Sequence, residues 1–201
     1  MLKLYIMRRV LDIIGATLGL LAIAPFAPLI ALAIKIESKG PAVVKLNRVS
    51  GGRTVKVYKF RSMYDGAHLM KPALSVLNER SDGPFFKIRK DPRLTKVGKI
   101  LRKFRVDEFP QLVNVLKGEL ALVGPRPHEP EEVIFYPHPY KHLLVSKAGV
   151  TGLSQVNGAS GLPFLKELEL DDHYVKNRSL AMDAKILAKT VAIIFSDPTA
   201  V

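Results

Sequence analysis

Apolar residues dominate one long segment near the start of the chain, and elsewhere they alternate with polar residues in shorter patterns. The segment from Val10 to Ile34 carries a single charged residue, Asp12, in 25 positions. As a helix it would be about 37 Å long, enough to cross a hydrocarbon core of about 30 Å. Arg8 precedes Asp12 by four residues, a spacing that allows the two side chains to pair near a membrane interface. The pattern predicts a membrane-embedded helix.

Three arrangements of this apolar segment are possible. A cleaved signal peptide fits poorly, because the run is too long and no polar, small-residue cleavage region follows it. Length alone favours a simple spanning helix. Against that, Pro25 and Pro28 interrupt the middle, and each removes a backbone hydrogen bond. Basic residues also flank both ends, so the positive-inside bias gives no direction: Lys3, Arg8 and Arg9 precede the segment, and Lys35 and Lys39 follow it. The residues leave spanning and re-entrant helices open.

Shorter periodicities predict the rest of the chain. Between residues 42 and 63, two β-prone runs flank a Ser-Gly-Gly triplet, which is typical of a β-hairpin. Residues 64–84 have the mixed composition of a long loop with a short helix, and the glycine-rich residues 148–161 resemble a flexible loop that a ligand could approach closely. Residues 163–175 and 180–195 have helical patterns.

The stretch from Lys87 to Arg105 is the most basic part of the chain, with nine Lys and Arg residues and one acid. Its apolar residues recur at helical spacing, which predicts a basic amphipathic helix. Such a helix is often a solvated helix packed on a core. Beside a membrane segment, we favour a helix lying on an anionic bilayer surface.

Two adjacent carboxylates, Asp107 and Glu108, follow this stretch. Asp107 is a plausible N-cap for a helix from Gln111 to Lys117, which Gly118 would end. In an arbitrary protein, capping and dipole complementarity would explain both acids. The functional alternative is sharper here, because a carboxylate at a helix N-terminus stays ionised, can attack phosphorus, and leaves its neighbour free to bind a metal.

The tetrapeptide from Gly124 to Pro127 places Arg126 between two prolines. The two prolines restrict the backbone on either side of Arg126. The guanidinium is therefore carried on a stiff backbone, which suits bidentate contact with a phosphate. Taken alone, this tetrapeptide is weak evidence. Three further acids, Asp171, Asp172 and Asp183, are interpreted as helix caps or salt-bridge partners.

The amino-acid composition limits the classes of function and of metal site that the chain could have. The chain of 201 residues fits one catalytic domain plus a membrane element, and its net charge of +13 calls for an anionic partner: nucleic acid, anionic lipid or a phosphorylated substrate. The absence of cysteine excludes disulfides and thiolate metal sites, and the five scattered histidines are interpreted as surface or loop residues. The chain has no P-loop and no Gly-x-Gly-x-x-Gly motif.

Taken in order, these motifs resemble the bacterial sugar transferase family, the monotopic phosphoglycosyl transferases. The matching pieces cover nearly the whole chain: RRVLDIIGA at its start, KVYKFRSM at 56–63, DPRLTKVGKILRKFRVDEFPQLVNVLKGELALVGPRP at 91–127, GVTGLSQVNG at 149–158 and DDHYVKNRSLAMDAKIL at 171–187. The residues GPFFKIRKDPRLTKVG are similar to the exopolysaccharide-initiating branch, whose larger members resemble undecaprenyl-phosphate galactose or glucose phosphotransferases and carry additional membrane segments. By comparison with those larger members, the resemblance implies that this chain comprises the catalytic unit alone.

The resemblance implies a specific chemistry. Asp107 would attack the β-phosphate of a UDP-sugar, releasing UMP and leaving an aspartyl-phosphosugar intermediate. Polyprenyl (undecaprenyl) phosphate would then accept the phosphosugar. Glu108 would hold Mg²⁺, the implied cofactor. The implied substrate-binding residues are Arg126 for a phosphate, Lys59 and Arg61 as weaker candidates, and Gln155 and Asn157 in the glycine-rich motif.

The resemblance also implies an architecture and a location. It predicts an α+β fold, mainly helical with a small hairpin and surface amphipathic helices. Residues 1–39 would form a re-entrant membrane helix broken at Pro25, and residues 40–201 a catalytic domain on the cytoplasmic face of the bacterial inner membrane. Its partners would be the two substrates and membrane lipid, without nucleic acid, and a homodimer is left open. The product would serve the first membrane step of exopolysaccharide, O-antigen or glycoconjugate synthesis.

One departure from the family pattern leaves a second class of function open, and a second departure matters less. Relatives often have arginine after the glycine at 158, where this chain has Ala159, so a phosphate-binding cation is missing there. Either another cation substitutes, or activity or donor preference differs, and an idle scaffold of a glycan-assembly complex is the alternative. Ala24 replaces a frequent serine before the membrane-helix proline. A membrane-anchored nucleic-acid-binding protein agrees with the charge, but the basic stretch lacks an aromatic stacking platform.

Overall fold

The N-terminal apolar segment forms two helices joined by a sharp bend. The structure, a computed structural model, describes residues 2–158 and 161–196. Helix α1 spans Leu2–Ile23 and helix α2 spans Ala27–Glu37, with a bend of 62° between them. The break falls at residues 24–26, where Pro25 has no amide hydrogen, and Pro28 lies in the first turn of α2. The predicted interruption at Pro25 therefore occurs.

A β-hairpin follows, as predicted. Strand β1, Val43–Ser50, pairs antiparallel with strand β2, Arg53–Phe60, in continuous register from Ser50 opposite Arg53. Gly51 and Gly52 form the turn with φ of 60° and 74°, and a turn with two successive positive φ angles matches the twist of the flanking strands. After the hairpin come two short 3-10 turns, Ala67–Met70 and Ser75–Leu77, in the predicted loop region.

The basic stretch is helical over only part of its length. Helix α3 spans Lys96–Lys103, so the prediction of a helix throughout residues 87–105 was wrong. Pro92 disfavours helical backbone before it, and Thr95 caps α3 by accepting the Gly98 amide at 2.8 Å. Glu37 at the end of α2 accepts two further amides of the first turn of α3.

The segment with the two carboxylates forms a 3-10 turn, Val106–Glu108, ahead of helix α4, Gln111–Leu116. The residue at the N-cap position of α4 is Pro110 and no side chain caps this end, so the predicted capping role of Asp107 was wrong. The helix does end before Gly118, whose φ of 77° is one that glycine adopts readily.

A second sheet, not predicted, joins two distant parts of the chain. Strand β3, Ala121–Val123, pairs in parallel with strand β4, Gly149–Thr151. Between them lie helix α5, Pro130–Val133, and a 3-10 helix, His138–Val145, and helix α6 follows at Leu153–Val156. Residues 149–156 are therefore ordered secondary structure, where a flexible loop was predicted. Backbone packing explains the glycines: a Cβ on Gly149 would lie 2.1 Å from the Gly124 nitrogen.

The two C-terminal helices occur where their patterns predicted them. Helix α7 spans Phe164–Asn177 and helix α8 spans Leu180–Ser196. Asp183 of α8 binds the Arg8 guanidinium at 2.8 Å, and Tyr174 of α7 hydrogen-bonds to both side chains. The Arg8–Asp12 pairing that the spacing allows does not form, and Arg8 instead fastens α1 to the C-terminal helices. Asp183 has the ion-pair role predicted for it.

Helix α1 packs directly on the rest of the fold through one face. Ala16 is fully buried in the main core with residues of β2 and α4, and Leu20 packs against the same cluster. Arg9 donates to the last carbonyls of α4, at 2.6 Å to Val115 and 2.7 Å to Leu116. Asp12 accepts the Leu122 amide of β3 at 2.8 Å. The fold is thus mainly helical with small sheets, and α1 contacts the elements that lead to the candidate site.

Candidate active site

The carboxylate pair sits in the tight turn between α3 and α4. Arg105, immediately before the 3-10 turn, has a φ of 54°, a left-handed conformation that few non-glycine residues adopt. This residue reverses the chain so that the turn packs against both β2 and α3. Asp107 is 5% exposed, and the side chain of Glu108 is about one quarter exposed. The two neighbours therefore have different surroundings.

Lys59, near the end of β2, contacts both acids. Its ammonium nitrogen lies 2.6 Å from Glu108 Oε1 and 3.7 Å from Asp107 Oδ2. The antiparallel register fixes Lys59 opposite Val44, so the hairpin holds this cation at the turn. The structure thus brings together three of the residues singled out from the sequence.

The pKa values of the two carboxyl groups are shifted in opposite directions. Burial raises the pKa of Asp107 above its ordinary value, against the attraction of Lys59, and the charge of Glu108 adds to the rise. Burial also opposes ionisation of Glu108, but the Lys59 ammonium and its hydrogen bond hold the pKa of Glu108 below its ordinary value. Glu108 is therefore the firmly held anion, whereas Asp107 is the more basic carboxylate and is less tightly bound.

Arg126 lies in the loop after β3. Its amide donates to Asp171 Oδ2 at 3.0 Å, and its guanidinium Nε lies 4.0 Å from Glu167 Oε1. The side chain is 34% exposed. Burial lowers the pKa of Arg126, but the charges of Glu167 and Glu108 outweigh that effect and favour the cation. Because Glu108 is one of these charges, Arg126 and the carboxylate pair share one electrostatic environment.

The other substrate-binding candidates have partners of their own. The buried Arg61 donates to the Lys39 carbonyl and, at 2.6 Å, to the Ser38 carbonyl, so it binds the C-terminal end of α2. Gln155 donates to the Val150 carbonyl at 2.9 Å. These contacts place Arg61 and Gln155 in the framework of the fold and do not test whether either binds substrate.

Asn157 and the neighbouring acids also have defined contacts. Asn157 accepts a hydrogen bond from Lys189 at 2.7 Å and lies at the exposed end of α6. Asp172 binds Lys176 and His142, as expected for a salt-bridge residue. Ala159, where the family resemblance implied an arginine, lies outside the described residues.

One buried polar cluster near Arg126 was not predicted. His128 lies in a loop, which is one of the two places expected for the histidines, but it is only 3% exposed and it bonds to Glu167 and to Tyr136. The only available signal was the position of His128 directly after the Pro-Arg-Pro triplet. Glu167 gave no signal, because an acid in the first turn of a helix is ordinary.

The carboxylates suit a magnesium ion. Among residues 2–158 and 161–196, no three His, Asp or Glu side chains are grouped so that they could hold a metal by themselves. Mg²⁺ is commonly held by one or two carboxylates, with water and substrate phosphates filling its other positions. Asp107 and Glu108 offer oxygen ligands of this kind, so the residues fit an ion that arrives with a phosphorylated substrate.

The apolar surface of the N-terminal helices is wide. Within the described part of the chain, no single helix is long and apolar enough to cross a bilayer, but Tyr5–Ile23 and Ala27–Glu37 together meet that requirement as a bent pair. The outward face of α1 and α2 is built from large hydrophobic side chains: Tyr5, Ile6, Met7, Val10, Leu11, Ile13, Ile14, Leu18, Leu21, Phe26, Leu29, Leu32 and Ile36.

Comparison with known proteins agrees with the ordered motifs. Residues 3–197 match the family described as bacterial sugar transferase. The chain belongs to that family. This membership covers the carboxylate pair, Lys59 and Arg126 in one continuous match.

Several curated proteins are similar over nearly the whole chain. The galactosyl transferase CpsE of Streptococcus agalactiae is 40% identical over 94% of this chain and 42% of its own length. The exopolysaccharide production protein ExoY of Sinorhizobium fredii is 34% identical over 94% of this chain and 85% of its own. The UDP-glucose:undecaprenyl-phosphate glucose-1-phosphate transferase of Escherichia coli is 36% identical over 92% of this chain and 39% of its own. The chain thus spans less than half the length of the Streptococcus agalactiae and Escherichia coli relatives.

Proposed function

We propose that this sugar transferase moves a sugar 1-phosphate from a UDP-sugar to polyprenyl phosphate. The observation that carries the proposal is the pair Asp107 and Glu108, which lie in one turn and both contact Lys59 of β2. Arg126 shares the electrostatic environment of this pair. Two anions and two cations at one site suit phosphoryl transfer, which requires a nucleophile and compensation of the diphosphate charge. The names of the relatives support this reaction class, including its use in exopolysaccharide production.

In the first step, Asp107 attacks the β-phosphorus of the donor. An Oδ–P bond forms, the bond from that phosphorus to the bridging oxygen breaks, and UMP leaves with the bonding electrons. The contrast between the two acids supports Asp107 as the nucleophile, because Glu108 is fastened to Lys59 at 2.6 Å whereas the pKa of Asp107 is raised by burial. A more basic, less firmly paired carboxylate is the better nucleophile.

In the second step, a phosphate oxygen of the polyprenyl acceptor attacks the same phosphorus. The new P–O bond gives a polyprenyl diphosphate sugar, and the Asp107 carboxylate leaves and is regenerated. Splitting the transfer into two displacements lets a soluble donor and a lipid acceptor use one nucleophile in turn, which gives ping-pong kinetics.

The basic residues compensate negative charge in both steps. Lys59 stands next to the proposed nucleophile, and the partly exposed Arg126 would contact a phosphate oxygen of the donor. Mg²⁺, bound through Glu108, would neutralise further charge on the diphosphate.

The contacts of α1 support a re-entrant arrangement at the cytoplasmic face. The catalytic part touches α1 from Arg8 to Leu20, a rise of about 18 Å along the helix. A helix crossing the bilayer upright would draw these polar elements into the hydrocarbon, which is costly. A shallow helix that bends at Pro25 and returns keeps them at the level of the headgroups, where both substrates can meet.

Cysteine labelling tests the membrane arrangement, because the native chain contains no cysteine. We expect single cysteines at Tyr5 and at Lys39 to react with a membrane-impermeant maleimide only in inside-out vesicles. Thr54→Cys on the exposed side of the hairpin is the matched control for the cytoplasmic face. Labelling of the Tyr5 and Lys39 positions from opposite sides would show a spanning helix instead.

The reaction itself is tested by UMP release. The full chain in nanodiscs is incubated with Mg²⁺, undecaprenyl phosphate and a panel of UDP-sugars. We expect one or a few donors to give UMP at a sustained rate only when the lipid is present, and a chelator to stop it. A folded protein that releases no UMP from any donor would refute the proposal and favour the idle scaffold.

A further inference from the structure

A buried series of hydrogen-bonded polar side chains lies behind Arg126. Tyr136 Oη is 2.6 Å from His128 Nδ1, and His128 Nε2 is 2.6 Å from Glu167 Oε1. The same Glu167 oxygen lies 4.0 Å from Arg126 Nε. Tyr136 is 6% exposed and Glu167 only 1%, so this hydrogen-bonded series is shielded from water along its length. Burying such groups is costly unless each is paired, and here each has a partner.

The direction of the hydrogen bond to Glu167 follows from chemistry. Burial opposes the charge of Glu167, but Arg126 and His128 hold its pKa below the ordinary value, so Glu167 accepts and His128 Nε2 donates. The other ring nitrogen, Nδ1, shares a hydrogen bond with the Tyr136 hydroxyl, and burial raises the pKa of that hydroxyl above its ordinary value. This hydrogen-bonded series therefore ends in a carboxylate that faces Arg126.

Aromatic packing fixes the orientation of the imidazole. The His128 ring meets Phe85 edge-on, with centroids 4.7 Å apart, and meets Tyr136 at 5.7 Å. Phe164 packs against both Phe85 and Tyr136 and closes the ring of contacts. Such edge-to-face pairs restrict rotation of the rings. The carboxylate of Glu167 is thus held from behind by a ring that cannot turn freely.

Arg126 is supported on its backbone as well. Asp171 accepts its amide at 3.0 Å, and the prolines on either side limit its backbone. Glu167 lies behind the guanidinium, and Glu108 contributes to its field from the side of the nucleophile. The remaining freedom of Arg126 is the direction of its side chain, and Glu167 contributes the largest of the carboxylate charges that act on the guanidinium.

We propose that Glu167, His128 and Tyr136 are positioning residues that aim the Arg126 guanidinium at the diphosphate of a nucleoside diphosphate donor. This inference rests on the proposed function, because it assumes that Arg126 meets that diphosphate. Loss of the carboxylate charge frees the guanidinium, and a displacement of about 1 Å at such a group can cost about 10²-fold in rate. Loss of the Tyr136 hydroxyl alone leaves Glu167 in place and has a smaller effect.

Two measurements on the full chain in nanodiscs test this inference. The first is kcat/KM for the UDP-sugar donor; we expect Glu167→Gln to lower it by about 10²-fold and Tyr136→Phe by about 5-fold, with kcat/KM for undecaprenyl phosphate unchanged. The second is the affinity for UDP with Mg²⁺, measured by calorimetry, which requires no turnover. Tyr174→Phe is the matched control, because it removes another buried tyrosine hydroxyl that bonds to Asp183 and Arg8.

A double-mutant cycle separates positioning from a merely structural role. If Glu167 acts through Arg126, Glu167→Gln adds little to the loss already caused by Arg126→Ala. Additive losses in the cycle, or equal losses in Tyr136→Phe and Tyr174→Phe, would overturn the inference. UDP binding without any turnover would count against the proposed function alone. Absence of UDP binding by the native protein would overturn the inference as well, because Arg126 would have no diphosphate to meet.

Discussion

Asp107→Asn is expected to lower lipid-dependent UMP release by about 10³-fold or more, which is the scale seen when an enzyme loses its nucleophile. The amide has nearly the shape of the carboxylate but carries no charge to attack phosphorus. Lys59 and Glu108 keep their contact at 2.6 Å in this variant, so the loss reports on the nucleophile and not on the site as a whole. The measurement is steady-state UMP release with the donor identified by the panel.

The stability of the same variant distinguishes the two acids. Burial raises the pKa of Asp107, and a carboxyl whose pKa is higher in the folded protein than in the unfolded chain destabilises the fold when it is ionised. Removing that charge at neutral pH should leave the melting temperature unchanged or raise it. Glu108 has a lowered pKa, so its charge stabilises the fold at neutral pH.

Glu108→Gln is therefore the informative comparison. We expect it also to lose activity, but to destabilise the protein by about 1–2 kcal/mol, because the charged hydrogen bond to Lys59 is weakened. Thermal unfolding in matched detergent compares the two variants. Equal destabilisation by both substitutions would contradict the assignment of the more basic carboxyl to Asp107.

Features set by neighbouring residues were predictable from the sequence. The Gly51-Gly52 turn specifies its own positive φ angles, and Pro25 interrupts the helix by removing one hydrogen bond. The helices near the C-terminus follow from their own periodicity. In each case the determinant lies within a few residues of the element it determines, which is why a local pattern was sufficient.

Features set by distant partners were not predictable. The three-residue strands β3 and β4 pair across 25 intervening residues, and neither has a β pattern of its own. Asp12 and Arg8 stand one helical turn apart, yet each binds a different part of the chain more than 100 residues away. The spacing allowed their pairing, but the tertiary contacts decided against it.

In the candidate site too, some features were predictable from nearby residues and others depend on distant partners. Asp107 and Glu108 could be chosen because they are adjacent and lie beside a basic stretch, whereas Lys59 was a weaker substrate-binding candidate that the family resemblance implied. The sequence did not indicate that Lys59 reaches both acids, since this depends on how the hairpin packs against the turn. His128 and Glu167 are 39 residues apart, and only the fold makes them partners.

Lys59→Met is expected to lower turnover by about 10²-fold, the effect of removing one preorganised charge partner from a reacting centre. Methionine keeps much of the side-chain volume but leaves Asp107 and Glu108 as adjacent acids without their nearest cation. We also expect a loss of about 2 kcal/mol in unfolding free energy, because a partly buried carboxylate loses a charged hydrogen bond. Lys56→Met, at an exposed position on the same strand, is the matched control and should change neither quantity.

A double variant decides whether these losses come from the contact with Glu108. If the destabilisation arises from an acid left without its partner, Lys59→Met should cost less when Glu108→Gln is already present, and the two free energies should differ by about 1 kcal/mol or more. Turnover should not recover, because Lys59 also faces Asp107 at 3.7 Å. Purely additive losses of stability would mean that the ion pair contributes nothing of its own. Wild-type turnover in Lys59→Met would remove this lysine from the proposed mechanism, since phosphoryl transfer would then proceed without a cation beside its nucleophile.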